Sequence, residues 1–245
     1  MSFIAVLLVG IAAGFINVMA GGGSLITLPM LIFFGLPSAV ANGTNRIALM
    51  AQNVVAVTSY KKAGYFEWKF SLLLAIPALI GSIAGAQIAV SMSDEVFNRV
   101  LSIVMIIVLI LIVSKPHKKL SPAQSDSRLK RIGLIVVFFF VGVYGGFIQA
   151  GVGFVIIAAL TLMTNFSLVK INSAKVFIVA VYTVSSLAVF IINDQIHWGY
   201  GLTLAAGTSL GAVLGSKFAV KHGDKWVRRI LIVAVIAMAV KLFVT

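Results

Sequence analysis

Two glycine clusters, Gly21-Gly22-Gly23 followed by Ser24, and Gly151 with Gly153, lie inside otherwise apolar stretches. A helix that starts after such a break, with Ser24 as its N-cap, presents unpaired backbone N–H groups and the positive end of its dipole. That end binds an anion without any charged side chain. The same glycines also suit a tight turn and close helix packing, which is the competing reading. GGGS has no lysine after it, so it is not a nucleotide-binding phosphate loop. Downstream of each cluster comes a polar opening to the next segment: Asn42, Thr44, Asn45 and Arg46 in the first, Asn172 and Lys175 in the second. Each places a cation near the break, to attract an anion or to snorkel to headgroups. Asn17 and Gln149, preceded by Gly14-Phe15-Ile16 and Gly146-Phe147-Ile148, are deeper polar candidates, as are Gln52, Asn53, Tyr182 and Thr183.

The elements that must position these residues come from a duplication. Residues 20–103 align without a gap on 150–233 at an offset of 130, with 17 identities in 84 pairs. The identities include Gly21/Gly151, Gly23/Gly153, Asn42/Asn172, Trp68/Trp198, Gly81/Gly211, Gly85/Gly215 and Asp94/Asp224. Charge differs between the copies. Residues 61–69 hold three lysines where 191–199 hold none, whereas Ser91, Glu95 and Asn98 face Lys221, Lys225 and Arg228. A loop that is basic in one copy and not in the other is expected of copies inserted in opposite orientations. The expected fold is therefore an all-α integral membrane protein of two inverted-topology repeats. Each has about five helical segments, and short, broken helices meet near the midplane.

Composition agrees, with 61% hydrophobic and 10% charged residues, against about 25% charged for a soluble domain. The net charge of +13 is not a nucleic-acid signature. Sixteen of 19 basic residues fall in 61–69, 115–131, 167–175 and 217–229, the clustering that the positive-inside rule gives to cytoplasmic loops. The expected organisation is a first membrane repeat at 1–114, a cytoplasmic basic linker at 115–131 and a second repeat at 132–245. Both termini are expected outside, and residues 3–20 read as a retained first helix, not a signal peptide. Ser24 to Leu36 has 13 residues and reaches only about 20 Å of a core about 30 Å thick. Its glycine end must therefore stop inside the membrane. The stripes Gly81, Gly85, Ala89 and Gly207, Gly211, Gly215, Ala219 are explained by close helix packing.

Absences narrow the chemistry. The chain has no cysteine, and all six carboxylates and three histidines fall in expected loops or helix ends. A divalent-cation permease would want carboxylate, imidazole or thiolate ligands in the membrane, and a carboxylate proton relay a buried acid. No nucleophile with a base lies within the bilayer, so the chain reads as no enzyme and calls for no metal or cofactor.

The glycine triplet with Pro29 six residues after Gly23, then Asn42-Gly43-Thr44, in a twice-repeated unit, resembles the sulfite exporter TauE/SafE family, also called the toluene sulfonate uptake permeases. The second copy departs from that pattern, with Ala159 for the proline and Ser173-Ala174 for Gly-Thr. The resemblance implies a multi-pass cell-membrane transporter, with export favoured, of sulfite, organosulfonates or similar sulfur-containing anions. Expected partners are that small anion and the lipid bilayer, with a homo-oligomer compatible and nucleic acid excluded. The same residues leave two alternatives open, an anion channel and a non-transporting assembly or regulatory subunit.

Overall fold

The computed structural model describes residues 3–113 and 128–244, and the described residues are all-helical, without a strand. The order is α1 (Phe3–Ala20), α2 (Ser24–Phe33), α3 (Ser38–Lys62), α4 (Trp68–Val90), α5 (Asp94–Val113), α6 (Arg128–Phe147), α7 (Val152–Met163), α8 (Leu168–Ile192) and α9 (Trp198–Val244). Four stretches are long and apolar enough to cross a membrane: Phe3–Ala20, Trp68–Val90, Leu168–Ile192 and Trp198–Val227. Gly223, at φ 67° and ψ −168°, breaks α9 where the sequence places a loop between two segments. Residues 114–127, most of the expected linker, lie outside the described residues, and α6 already begins at Arg128 within that stretch.

The duplication is visible in local structure. α3 and α8 start and end 130 residues apart, and so do the starts of α4 and α9. Both α3 and α8 close with the same paired turn. Tyr65 N–H reaches the Tyr60 carbonyl and Gly64 N–H the Lys61 carbonyl, while Gln195 and Asp194 do the same to Phe190 and Ile191. That is a Schellman cap, and its left-handed position is Gly64 (φ 76°) in one copy and Asp194 (φ 54°) in the other. The aspartates paired by the offset also repeat a role. Asp94 accepts from the Ser38 amide at 2.8 Å and Asp224 from the Val169 amide at 3.2 Å, each at the start of a long helix, where a carboxylate is favoured.

The offset changes at the breaks. α2 and α7 start 128 residues apart, not 130, and α7 has 12 residues against 10 in α2. The helix starts are thus shifted by two residues against the offset of 130, while Gly21 and Gly151, paired by that offset, both keep positive φ, 89° and 74°. At the spacing of the helix starts, Gly21 corresponds to Gln149. Both have positive φ, 89° and 65°, and both send their amide to the carbonyl five residues back, Ile16 or Tyr144.

The halves interlock. α1 packs along α9, and α6 along α4. A Cβ on Gly207, Gly211 or Gly215 would meet the carbonyl of Leu7, Ile11 or Phe15, and one on Gly81 or Gly85 that of Phe139 or Val143. These contacts advance together along both chains, so each pair runs parallel. They account for the glycine stripes, because only a missing Cβ lets backbones approach this closely. Three basic segments gather at one end, where Lys170 pairs with Glu67 at 2.8 Å and Asp224 meets Val169.

Candidate functional site

The candidate site lies where two helical pairs turn back. α2 and α7, about 15 and 18 Å long, are too short to cross a hydrocarbon core of about 30 Å. Their glycine ends touch. A Cβ on Gly21 would lie 2.5 Å from the Gly153 Cα, and one on Gly153 would strike Gly21 in return. The expected N-cap shifts by one residue: Gly23 caps α2, with no side-chain bond, and Ser24 is already helical. The Leu25 and Ile26 amides turn back to the Gly22 and Gly23 carbonyls at 3.1 and 3.0 Å. α2 thus offers its dipole and the Ser24 amide rather than a fan of free donors.

The C-terminal ends of α1 and α6 leave carbonyls inside the protein, and a cation with an asparagine meets each set. Lys175 Nζ donates to the carbonyls of Asn17 and Val18, both at 2.9 Å, and to Asn172 Oδ1 at 2.7 Å. Asn172 donates to the Met19 carbonyl. At the other tip, Arg46 donates to the carbonyls of Gly145, Gly146 and Phe147, to Asn42 Oδ1, to Ser186 Oγ and to Gln149 Oε1. Asn42 donates to the Phe147 carbonyl at 2.6 Å, and the Tyr144 hydroxyl donates to the Ala150 carbonyl across the same turn. Arg46 and Lys175 are 0% and 2% exposed, so neither snorkels to headgroups. Each donates to the carbonyls of a helix C-terminus that is buried away from water.

Beside the first tip lie two small adjoining spaces that share Asn17, Ser24 and Leu49, and the second of them also reaches the other tip. One is also lined by Thr27, Asn45, Gln52 and Thr208; the other, of about 10 Å³, by Asn53, Gln149, Gly153 and Lys175. The larger has room for about one water. Their walls carry buried donors with no partner: Asn45 Nδ2, Gln52 Nε2 and Gln149 Nε2. For Gln149 the amide orientation is determined, because its other end accepts at 3.0 Å from Arg46, which can only donate. Gln149 is also a bulky residue held in the left-handed region, where only glycine is unstrained.

A sequence profile described as "Sulfite exporter TauE/SafE" matches residues 6–242. The chain belongs to this family. Among curated proteins it is 29% identical over 236 residues to a "Probable membrane transporter protein" of Haemophilus influenzae, covering 96% of this chain and 91% of the relative. It is 27% identical over 231 residues to "Probable membrane transporter protein ORF9" of a Sinorhizobium species, covering 94% and 88%. A Bacillus subtilis relative, "Probable membrane transporter protein YunE", is 23% identical over 99% of this chain and 97% of its own length. No solved structure matches the chain. The TauE/SafE family is one of membrane transporters, and this chain is a multi-pass membrane protein of it.

Of the sequence candidates, the TauE/SafE fold brings Asn17, Gly23, Ser24, Asn45, Gln149, Gly153 and Lys175 to the walls of the two spaces. Gly21, Gly22 and Gly151 form the turns themselves, while Asn42, Asn172 and Arg46 brace the tips from behind. Thr44 stands apart, accepting from the His197 amide at 2.8 Å at the end remote from the basic loops. Thr27, which donates to Asn45 Oδ1 at 2.7 Å, and the wall residues Gln52, Asn53 and Thr208 complete the polar lining. The spacing 45, 49, 52, 53 is one helix face, the signal that links Gln52 and Asn53 to Asn45.

Proposed function

We propose that this TauE/SafE chain is a secondary transporter, working as an exporter, of small sulfur-containing anions such as sulfite or organosulfonates. The anion binds where the two broken-helix tips meet, between halves related as inverted repeats. Support for the inversion comes from helix direction. α3 turns back into α4 through a short hairpin, and α4 runs beside α8 in the same sense, Trp68 against Phe177 and Ser82 against Ser185. The equivalent helices α3 and α8 therefore oppose each other. The end that collects Lys61, Lys62, Lys170 and the 217–229 segment is assigned to the cytoplasm on the positive-inside rule.

The observation that carries the reading is the Gln149 amide, strained in its backbone, anchored by Arg46 and left with an unpaired N–H facing the space between the tips. Buried donors without acceptors are costly, and oxyanions supply acceptors only. Because that space holds about one water, anion entry requires the tips to part, the alternating motion expected when one repeat rocks against the other.

The test is uptake of labelled sulfite, sulfoacetate, sulfate and chloride into proteoliposomes, with internal substrate present or absent, for the native chain and Gly22→Leu. Saturable sulfite or sulfonate flux, stimulated by internal substrate and lost in the variant, is expected. Unchanged transport in a folded Gly22→Leu would sink the site assignment. Flux that does not saturate would indicate a channel. No flux, with a copurifying partner, would indicate an assembly subunit.

A further inference from the structure

The two cations at the tips make a charge count possible. Arg46 is permanently charged, and Lys175 Nζ sits within 2.9 Å of three oxygens, Asn17 O, Val18 O and Asn172 Oδ1, which only an ammonium with three N–H groups satisfies. Against these two positive charges stands no buried acid among the described residues. Glu67, Asp94, Glu95, Asp194 and Asp224 are all exposed, and Glu67, Asp94 and Asp224 are engaged at helix ends far along the chain. His197 and His222 are exposed as well. Helix ends do not restore the balance, because the negative C-termini of α1 and α6 are offset by the positive N-termini of α2 and α7 at the same place.

The donors agree with the charges. Lys175 lines the larger space beside Gln149, and Arg46 polarises the Gln149 amide through the bond to its oxygen, strengthening Nε2 as a donor. Asn45 Nδ2 and Gln52 Nε2 add unpaired N–H groups in the adjoining space. The two spaces share Asn17, Ser24 and Leu49 and so form one compartment, which opens to one occupant as the tips part.

Resting on the reading of the tips as an anion site, we infer that this site selects a doubly charged sulfur oxyanion, one per chain, over singly charged anions with the same headgroup. A dianion cancels both buried cations, whereas a monoanion leaves one uncompensated in a low-dielectric setting.

The experiment is calorimetric titration of the purified full chain in detergent with two matched pairs: sulfate against methanesulfonate, and sulfoacetate against 2-hydroxyethanesulfonate. In each pair the headgroup is the same or nearly so and the charge differs by one. The dianion is expected to bind at least about tenfold more tightly, at one per chain, and Lys175→Met is expected to shrink that ratio. Should Lys175→Met fail to fold, the ratios for the native chain decide alone. Equal or tighter binding of the monoanions, or two monoanions per chain, overturns the inference while the anion-site reading stands. Absence of binding by all four, together with no sulfite flux in proteoliposomes, removes the site reading and the inference with it.

Discussion

At the first tip the left-handed residue is Gly21 and the brace is Lys175 with Asn172; at the second, Gln149 and Gly151 are both left-handed and the brace is Arg46 with Asn42. The geometry of the turn is the same in both, an amide reaching five residues back, and so is the electrostatic task of holding helix-end carbonyls away from water. The parts differ in reach. Lysine is a compact point charge with three donors, and all three are engaged by the tip it braces. Arginine's planar fork covers three carbonyls and still extends to Gln149. The comparison teaches that duplication retained the brace while the surface facing the central space diverged. The first copy gives that position no side chain at all, because Gly21 packs on Gly153, and the second gives it an amide.

If the second brace is the more extensive, Arg46→Met should be the most damaging single change, leaving the Gly145 and Gly146 carbonyls unpaired at a cost of roughly 3–5 kcal/mol. Lys175→Met should cost less, about 2–3 kcal/mol. Thermal unfolding of the two variants in detergent gives the order, and the reverse order would falsify the comparison.

Exchange of the turn residues should separate structure from binding. Gly21→Ala puts a Cβ into both a left-handed backbone and the Gly153 backbone and is expected to cost about 2 kcal/mol or more. Gln149→Gly relieves backbone strain of about 1 kcal/mol and so should leave stability within about 1 kcal/mol of the native chain. Anion flux in Gln149→Gly should nevertheless fall, by about tenfold if one charge-polarised hydrogen bond is lost. Full flux in that variant would show that the amide does not face the substrate.

The smallest effect is expected far from the tips. Lys170 and Glu67 form a pair whose side chains are 37% and 46% exposed, and Glu67→Gln should change stability by less than about 1 kcal/mol. A larger loss would mean that the basic end contributes to holding the halves together.

Much of this molecule is written locally. Apolar runs marked the helices, Gly64 and Asp194 mark the same turn in both copies, and the glycine clusters marked the breaks because a segment too short to cross must end inside. The register at the breaks was not legible. An ungapped offset of 130 pairs Gly21 with Gly151 and places the two-residue length difference between α2 and α7 nowhere, since glycine-rich turns carry little side-chain information to fix an alignment. The work of Arg46 and Lys175 was hidden too, because each looked like a lone cation at a polar opening.

The sequence by itself determined membrane class, helix content, duplication and the sites of the broken helices, since hydropathy, turn chemistry and repeat spacing act over a few tens of residues. Only the tertiary structure decided which polar groups are already satisfied. Arg46 finds its carbonyls 99 to 101 positions away, and Lys175 finds its own 157 and 158 positions away. In a bilayer every buried donor must find an acceptor inside the protein. The fold met that demand for Lys175 and for both terminal nitrogens of Arg46, left Arg46 Nε unpaired, and left the amides of Gln149, Asn45 and Gln52 on the walls of the two adjoining spaces.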